Sequence, residues 1–450
     1  MSSDTPTQLS LNFGVSFDDK VSRDGKSAFS DPAFASNKSS PIHRWVPWIA
    51  GFSADFVASA ITRYAKPGAT VLDPFVGVGT TLVEGILHGC ATIGFEINPY
   101  SALASRVKTH AHMLSTDAVQ VELSRFREFY FDSLLSDAKP QSTEPSGFKT
   151  RVPFYSELVL RKVLFLQDFI NSIAEPAVRD LFRIAFASTM VSYSNYSYEP
   201  SLGRRSSAGK ADIVDYPVEQ AIIGKLNQMI RDIVWFKAGL PDNLKPTSTV
   251  VNGSFFNFTN YIESDSVDLI VTSPPYLNNY HYNRNTRPQL YWLGFVEKPE
   301  DLKVYEEENF GKFWQTVRAS DAIELTFSVE GSDIQERLDL IRSLNPEKGV
   351  YGGSGWANYA AAYFNDCFEF ARAMSVVLRS GATALIVIGN SILQGVFMPT
   401  DEYLAQIAQS VGLELISIEI PRNTRVGNSI IQSGVRVGKA KGKQRLYEAV

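Results

Sequence analysis

The sequence predicts an α/β fold in which a mostly parallel sheet is interrupted by two helical insertions. Between residues 69 and 96, a short apolar segment, a glycine-containing turn, an amphipathic segment and a second apolar segment follow one another. A strand, a helix and a strand at this spacing form a βαβ unit, which implies parallel strands. This alternation stops near residue 106, and segments with strand character resume only at residue 247.

The composition is that of a globular protein with a sizeable core. Of the 450 residues, 44% are hydrophobic and 20% are charged, and the length exceeds that of an average single domain. The sequence shows neither a secretory signal nor an apolar run of about 18 residues, so we expect a cytoplasmic protein without a membrane anchor. Cys90 and Cys367 lie in apolar surroundings, and the five histidines show no metal-ligand spacing. We therefore expect buried thiols and no metal cofactor.

The net charge of −5 excludes a uniformly basic surface but not a local one. One cationic cluster lies in residues 203–210 and contains Arg204 and Arg205. A second runs through the C-terminal stretch, beginning with Arg422 and Arg425. A solvated loop and a contact with nucleic acid explain each cluster equally well.

The turn after the first predicted strand is suited to a nucleotide-like ligand. Residues 69–72 form an apolar run that ends at Asp73, and Gly77 and Gly79 follow before a helix predicted at 80–88. At the carboxyl end of a strand in an α/β sheet, such a turn lets the backbone approach a ligand, and the helix N-terminus offers free N–H groups. Gly-x-Gly turns that serve only packing are common, so this turn is weak support when taken alone.

The residues after this turn favour a nucleoside without phosphates. The third glycine of the dinucleotide-binding fingerprint is absent, because Leu82 occupies its position. Thr81 and Glu84 have the spacing of a capping box, which marks the helix start. Glu96 ends the second predicted strand, where its carboxylate can accept hydrogen bonds from two ribose hydroxyls.

The remaining helices and strands follow from periodicity. Apolar residues at three- and four-residue spacing predict helices at 119–133, 157–173, 218–236 and 358–379. The last of these is expected to end at the glycine cap of Ser380-Gly381. Short apolar segments predict strands at 247–252, 267–272, 382–389 and 413–420.

A second motif, Ser273-Pro274-Pro275-Tyr276, directly follows the strand at 267–272. Its prolines stiffen the loop and remove backbone donors, which leaves the Pro274 carbonyl and the Ser273 hydroxyl as acceptors. An amine attached to a flat base can donate to both while Tyr276 stacks on the ring. This arrangement favours amino-group chemistry, whereas a Pro-Pro-Tyr found in isolation is more often a stiff turn.

Asp73-Pro74-Phe75-x-Gly77-x-Gly79-Thr80-Thr81 together with Thr272-Ser273-Pro274-Pro275-Tyr276 resembles the amino-methylating DNA methyltransferases. These bacterial enzymes make N4-methylcytosine or N6-methyladenine, often beside a restriction enzyme. The resemblance implies a Rossmann-like class I methyltransferase sheet with one antiparallel strand near the C-terminus. It also implies direct transfer of a methyl group from S-adenosyl-L-methionine to a flipped-out base. Serine before Pro-Pro-Tyr is similar to the cytosine-N4 version of the motif, and aspartate is commoner for adenine.

The resemblance further implies roles for individual residues. The cofactor-binding residues would be Asp73, Phe75, Gly77, Gly79, Thr80, Glu96, Ser254, His43 and Trp45. His43 and Trp45 belong to a segment that usually closes over the methionine part of the cofactor, although a core position suits Trp45 equally well. The catalytic residues would be Ser273, Pro274, Pro275 and Tyr276.

Double-stranded DNA is the expected partner, with a cognate restriction endonuclease acting on the same site as a possible second one. The DNA-binding residues would be Asn278, Asn279, Tyr282, Arg204, Arg205, Arg422 and Arg425. Structural loop contacts explain Asn278, Asn279 and Tyr282 equally well. In the alpha-like order of the two motifs, the region between them recognises the target.

The predicted organisation follows from these assignments. It comprises a disordered N-terminal arm at 1–40, a catalytic domain assembled from 41–110, 247–287 and 355–450, a target-recognition insertion at 111–246 and a smaller insertion at 288–354. Alternatives to cytosine-N4 methylation of DNA are adenine-N6 methylation, an RNA base methyltransferase and a non-catalytic DNA-binding subunit with this fold. A protein-glutamine methyltransferase would normally carry asparagine rather than serine before Pro-Pro-Tyr.

Overall fold

A five-stranded parallel sheet forms the centre of the computed structural model, which describes residues 21–22, 34–48, 51, 53–198, 201–241, 245–277, 282–421 and 447–450. Its strands are β1 (Thr70–Asp73), β2 (Ala91–Glu96), β3 (Ser248–Asn252), β4 (Val267–Thr272) and β5 (Leu378–Ile386). They lie in the order β3-β2-β1-β4-β5, with every neighbouring pair parallel. The predicted α/β fold is confirmed.

The strand order reverses at β1, and this reversal places the candidate site. From β1 the chain passes to β2 on one side, and only after β3 does it reach β4 on the other side. In open α/β sheets, ligands bind in the crevice that forms at the carboxyl ends of the strands beside such a reversal. Asp73 ends β1 and Thr272 ends β4, so both motifs of the sequence meet at this crevice.

Helices cover both faces of the sheet. They are α1 (Ala54–Tyr64), α2 (Thr80–Leu87), α3 (Pro99–Thr109), α4 (Thr116–Leu135), α5 (Glu157–Ser172), α6 (Pro176–Thr189), α7 (Val218–Ala238), α8 (Tyr282–Asn285), α9 (Arg287–Trp292), α10 (Leu302–Glu307), α11 (Trp314–Val317), α12 (Ile334–Ser343), α13 (Gly353–Val377) and α14 (Thr400–Ser410). Short 3-10 helices lie at Phe34–Lys38, His43–Trp45, Ala111–Met113, Arg205–Ala208, Phe255–Asn260, Pro299–Asp301 and Pro346–Tyr351. Successive strand residues face opposite sides, so Val71 packs with residues of α1 and Leu72 with residues of α13.

The region predicted as the larger insertion shares a hydrophobic core with the sheet helices. Side chains of α4 to α7 pack in one continuous cluster with α2 and α3, and Phe126, Phe169 and Phe182 lie near its centre. Leu290 of α9 joins the same cluster, whereas α11 and α12 pack on α13. The division of the chain into domains stays a prediction.

Residues close to the C-terminus supply the antiparallel strand. Glu448–Ala449 pairs antiparallel with Ile388–Gly389, which continues the path of β5. Glu419 and Val450 exchange both backbone hydrogen bonds, at 2.9 and 2.8 Å. The further two- and three-residue strands are Val21–Ser22, Tyr196–Tyr198, Leu202–Arg204, Ser391–Leu393, Val396–Met398 and Ile418–Glu419.

Three local predictions are wrong. The strand predicted at 413–420 shrinks to Ile418–Glu419, because Ile416 is exposed and its stretch has no strand partner among the described residues. Helix α13 ends at Val377 and Leu378 is already extended; Gly381, with φ of 80°, lies instead where the register between β4 and β5 shifts. Thr81 and Glu84 form no capping box, because the N-cap is Gly79 and both side chains bond elsewhere.

The structure also bears on the predictions for the N-terminal arm, the two cysteines and membrane-spanning helices. Of the predicted N-terminal arm, Val21–Ser22 and Phe34–Lys38 form regular elements, and most of the rest lies outside the described residues. Cys90 and Cys367 are buried free thiols, as predicted. In the part of the chain that the structure describes, no helix is both long and apolar enough to cross a membrane.

Candidate active site

A cleft lies at the carboxyl ends of β1, β2 and β4. The residues that line it are Trp48, Pro74, Phe75, Gly77, Phe95, Glu96, Ile97, Asn98, Gly253, Ser254, Phe255, Phe256, Ser273, Pro275, Glu308, Asn309, Phe310 and Phe313. Polar groups concentrate where strands end, and aromatic rings form most of the remaining wall. A cleft with apolar walls and a few convergent polar groups is typical of a site for a small organic ligand.

Asp73 joins the two sequence motifs below the floor of this cleft. Its Oδ1 accepts hydrogen bonds from the Thr272 hydroxyl at 2.6 Å and from the Phe75 N–H at 3.0 Å. Its Oδ2 accepts from the Thr81 hydroxyl at 2.6 Å. Burial raises the pKa of Asp73 to about 6, although all three donors act in the opposite direction. The Asp73 carboxylate therefore connects the glycine-containing turn to the segment that leads into the Ser-Pro-Pro-Tyr loop.

Glu96 presents its carboxyl group to the cleft. The backbone N–H of Asn98 donates to its Oε1 at 2.8 Å, and the N–H groups of Gly77 and Ile97 also donate to the carboxyl group. Burial raises the pKa of Glu96 to about 8, and the nearby charge of Asp73 adds to this rise. A carboxyl group held by the backbone at the end of β2 can accept hydrogen bonds from a diol.

The two glycines of the turn have different roles. Gly77 lines the cleft with φ of 51°, and a Cβ there would lie 3.4 Å from Nε1 of Trp48. Gly79 has φ of 87° and packs against α3, where a Cβ would lie 2.6 Å from Oγ of Ser105 and 3.1 Å from its Cα. Gly77 therefore permits an approach to the cleft, whereas Gly79 serves the turn and helix packing.

The Ser273–Tyr276 loop forms the opposite side of the cleft. Ser273 and Pro275 line it, and the buried Tyr363 of α13 donates its hydroxyl to the Pro275 carbonyl at 3.1 Å. Among the described residues, none donates a hydrogen bond to the Pro274 carbonyl. The loop thus combines a fixed backbone with a carbonyl that accepts no hydrogen bond from a described residue.

Tyr276 is held against the sheet by two contacts. Its hydroxyl lies 3.3 Å from Oε1 of Glu448, to which it donates. Its ring packs on Gly389, where a Cβ would lie 2.8 Å from both Cδ2 and Cε2 of the ring. Because glycine has no side chain, the ring contacts the backbone of Gly389 directly.

Comparisons with known proteins show what this chain is similar to. The family described as DNA methylase, N6_N4_Mtase, matches residues 26–106. A type II methyltransferase, M.BsoBI of Geobacillus stearothermophilus, is 24% identical over 437 residues, covering 89% of this chain and 84% of its own. The chain is therefore similar to amino-methylating DNA methyltransferases, both in this segment and over most of its length.

Two further relatives are also type II methyltransferases. M.AvaI of Anabaena variabilis is 25% identical over 441 residues, covering 91% of this chain and 87% of its own. M.MvaI of Kocuria varians is 22% identical over 359 residues, covering 77% of this chain and 76% of its own. The similarity to these methyltransferases therefore includes the helical regions as well as the sheet.

Two of the residues predicted to bind the cofactor lie away from the cleft in the structure. His43 and Trp45 are buried outside the cleft: His43 Nε2 lies 2.8 Å from Oε1 of Glu84, and Trp45 Nε1 donates to Asp232 at 2.9 Å. Asp232 lies on α7, so these contacts fasten the segment to the helical region. Trp48, three residues further on, lines the cleft instead.

Ser254 and Thr80 complete the predicted cofactor residues. Ser254 lines the cleft, and its hydroxyl accepts a hydrogen bond from the Phe256 N–H at 3.3 Å. Thr80 is buried at the start of α2 and does not line the cleft. The neighbouring Thr81, which the sequence reading assigned to a cap, binds Asp73 instead.

Part of the cleft wall comes from residues that no sequence motif marked. They are Glu308, Asn309, Phe310 and Phe313, which lie between α10 and α11, within the insertion predicted at 288–354. The Phe310 ring meets the Phe75 ring edge-on, with centroids 5.1 Å apart, and lies 6.2 Å from that of Phe256. The four residues reach the cleft because their segment packs on α13. Such a long-range contact leaves no local pattern in the sequence.

The structure describes only some of the predicted DNA-binding residues, whose role stays a prediction. Arg204 is exposed at the end of the hairpin formed by Tyr196–Tyr198 and Leu202–Arg204, and Arg205 is half-buried. Tyr282 begins α8, but its side chain lies outside the described part of the chain. The described part of the chain does not include Asn278, Asn279, Arg422 or Arg425.

Proposed function

We propose that the chain transfers a methyl group from S-adenosylmethionine to the exocyclic amino group of a flipped-out DNA base, with cytosine N4 as the preferred acceptor. The single observation that carries this proposal is the cleft itself. Its lining includes Glu96 and the loop of Ser273 and Pro275. Asp73 connects the glycine-containing turn to this loop through Thr272.

The residues of the cleft fit a nucleoside cofactor. The Glu96 carboxyl group is fixed by backbone donors and can accept from the two ribose hydroxyls. The rings of Phe256, Phe310 and Phe75 provide flat apolar surfaces for a purine. When bound, S-adenosylmethionine supplies an electrophilic methyl group on a sulfonium.

The loop residues prepare the acceptor amine. The Ser273 hydroxyl and the Pro274 carbonyl can accept hydrogen bonds from the two N–H groups, which draws the nitrogen lone pair out of conjugation with the ring. Tyr363 keeps the loop in place through the Pro275 carbonyl. Alignment of this kind can supply most of the acceleration in a direct displacement, so no covalent intermediate with the protein is required.

Tyr276 would stack on the base once it has left the duplex. Gly389 contacts the ring at Cδ2 and Cε2, and the base would stack on a face of the ring. Extrusion of a base costs a few kcal/mol, and stacking on an aromatic side chain offsets part of this cost. Serine at position 273 supports cytosine over adenine, by resemblance to the N4 version of the motif.

The family match supports DNA as the substrate, because that family is described as DNA methylase. The three relatives named above are type II methyltransferases. A type II modification enzyme normally protects a site that a restriction endonuclease cuts, so we include a cognate endonuclease in the proposal.

The experiment that tests this function is methylation of plasmid DNA by the purified chain, followed by mass spectrometry of the nucleosides. We expect N4-methylcytosine that depends on added S-adenosylmethionine. N6-methyladenine would overturn the choice of base and leave the amino methylation intact. Absence of any product on DNA, with calorimetry showing cofactor binding, would direct the test to RNA; absence of cofactor binding would refute the enzyme.

A further inference from the structure

We propose that six cationic side chains form one phosphate-binding surface for DNA beside the cleft. They are Lys149, Arg151, Arg204, Arg205, Arg284 and Arg287. The inference rests on the proposed function and extends it, because it states which part of the chain holds the DNA backbone. Only Arg204 and Arg205 were marked by the sequence. The other four come from two further segments, the loop of Lys149 and Arg151 and the adjacent helices α8 and α9.

Direct contacts bring these segments together. Arg287 donates from Nη2 to the Lys149 carbonyl at 3.2 Å. The Tyr196 hydroxyl accepts a hydrogen bond from the Arg151 N–H at 3.1 Å, and Tyr196 is paired with Arg204 across the hairpin. A loop, a hairpin and the start of α9 therefore share one surface, although Arg287 and Lys149 are 138 residues apart in sequence.

The same surface borders the candidate active site. The Tyr198 hydroxyl of the hairpin donates to the Asn285 carbonyl at 2.9 Å, and Asn285 Oδ1 accepts from the Leu202 N–H at 3.2 Å. The next residue, Thr286, is held through its hydroxyl by Asn98 Nδ2 at 2.8 Å. Asn98 lines the cleft, so the residues between Arg284 and Arg287 join the cationic surface to it.

The charges on this surface are not neutralised within the described chain. None of its six cations takes part in an ion pair between described residues, whereas arginines elsewhere, such as Arg183, Arg337 and Arg372, pair with carboxylates. Lys149, Arg151, Arg204 and Arg284 are exposed. Glu144 is a carboxylate of the loop that carries Lys149 and Arg151, so positive charge exceeds negative charge there.

A polyanion with evenly spaced phosphates fits this arrangement. Cations that repel one another on a surface of an otherwise acidic chain are stabilised when an anionic partner covers them. Arginine suits the task because its planar guanidinium can bind a phosphate through two parallel hydrogen bonds. The Arg287 guanidinium lies 5.6 Å from the ring centroids of Phe148 and Tyr291, which fixes its position.

The test compares the wild-type chain with a variant that carries Lys149→Ala, Arg151→Ala, Arg204→Ala and Arg284→Ala. Binding to a mixed-sequence DNA duplex is measured by fluorescence anisotropy over a range of salt concentrations. Each lost phosphate contact removes about 0.9 from the slope of log K against log salt, so we expect the slope to fall by about 3 to 4. A fall of this size with unchanged S-adenosylmethionine affinity supports the surface.

A control for charge loss elsewhere carries Lys66→Ala and Lys348→Ala, at two exposed lysines that form no ion pair with a described residue. Its salt slope should equal that of the wild type. A wild-type slope in the quadruple variant would overturn the inference while leaving the methyltransferase proposal intact. A slope change with duplex RNA but none with DNA would overturn DNA as the occupant. Failure of the wild-type chain to methylate DNA would refute the proposed function, and the slopes would still decide whether this surface binds phosphates.

Discussion

The carboxylate of Asp73 accepts a 2.6 Å hydrogen bond from the hydroxyl of Thr272, a residue 199 positions away. Asp73 begins the turn that approaches the cleft, and Thr272 immediately precedes the Ser-Pro-Pro-Tyr loop. One buried contact therefore sets the position of the proposed methyl donor's site relative to that of the acceptor. A displacement reaction depends on this alignment, which makes the contact a target for mutation.

Thr272→Val should lower both stability and turnover. Valine has nearly the shape of threonine but leaves a buried carboxylate with one donor fewer, so we expect the free energy of unfolding to fall by about 1–3 kcal/mol. Urea denaturation at pH 7 measures this change. Thr62→Val is the control, because the exposed Thr62 hydroxyl binds only a carbonyl of its own helix. Equal stabilities of the two variants would contradict the role assigned to Thr272.

Cofactor affinity should rise with pH up to about 8. The pKa of Glu96 is raised to about 8, and the ribose hydroxyls donate to the ionised form, so binding at lower pH must release a proton. Below that pKa the dissociation constant should fall about tenfold for each unit of pH, and it should level off above it. Calorimetric titration from pH 6 to pH 9 measures the profile.

Glu96→Gln is the control for this pH dependence. Glutamine still accepts one hydrogen bond but does not titrate, so its dissociation constant should be higher and nearly independent of pH between 6 and 9. A wild-type pH profile in this variant would show that another group titrates.

Gly389→Ala should reduce turnover while preserving cofactor binding. The new Cβ would lie 2.8 Å from two ring carbons of Tyr276 and would displace the ring on which the base is proposed to stack. We expect kcat to fall by about an order of magnitude or more, as for misplaced catalytic geometry. Gly224→Ala, at an exposed helical position with open space around it, should be harmless. Unchanged kcat in Gly389→Ala would remove Tyr276 from the acceptor site.

Tyr363→Phe should affect the acceptor loop alone. It deletes the hydroxyl that donates to the Pro275 carbonyl, so the loop loses a fixed point while the hydrophobic packing of the ring is kept. We expect a lower kcat, an unchanged dissociation constant for S-adenosylmethionine and an unchanged KM for the cofactor. Tyr130→Phe provides the comparison, since the buried Tyr130 hydroxyl has no hydrogen-bond partner in the described structure. Similar kinetics in both variants would argue against the positioning role of Tyr363.

The sequence predicts elements well where a local pattern specifies them. The strands that end at Asp73, Glu96 and Thr272 are short apolar runs closed by polar or proline residues, and the structure contains all three. Gly77 and Gly79 adopt the positive φ values that only glycine enters without strain. Prediction failed for Thr81 and Glu84, whose capping-box spacing is overridden by tertiary hydrogen bonds.

The cleft shows the same division between local and long-range information. Aromatic residues at 45 and 48 look equivalent in sequence, yet Trp45 is buried against Asp232 and Trp48 lines the cleft. Phe310 reaches the cleft only because its segment packs on α13. Periodicity reports that a residue is apolar and needs burial, but it does not report what will cover it.

The sequence by itself predicted amino-group chemistry at the end of a parallel strand, from Ser273-Pro274-Pro275-Tyr276 and the glycine turn. This was possible because proline and glycine determine the backbone conformation at their own positions. The sequence did not reveal the bond between Asp73 and Thr272 or the contact of Tyr276 with Gly389. Nor did it reveal the contacts that join the Lys149 loop to the hairpin and to α9. Each joins residues that are distant in the chain, and their proximity follows from strand order and helix packing rather than from any local preference.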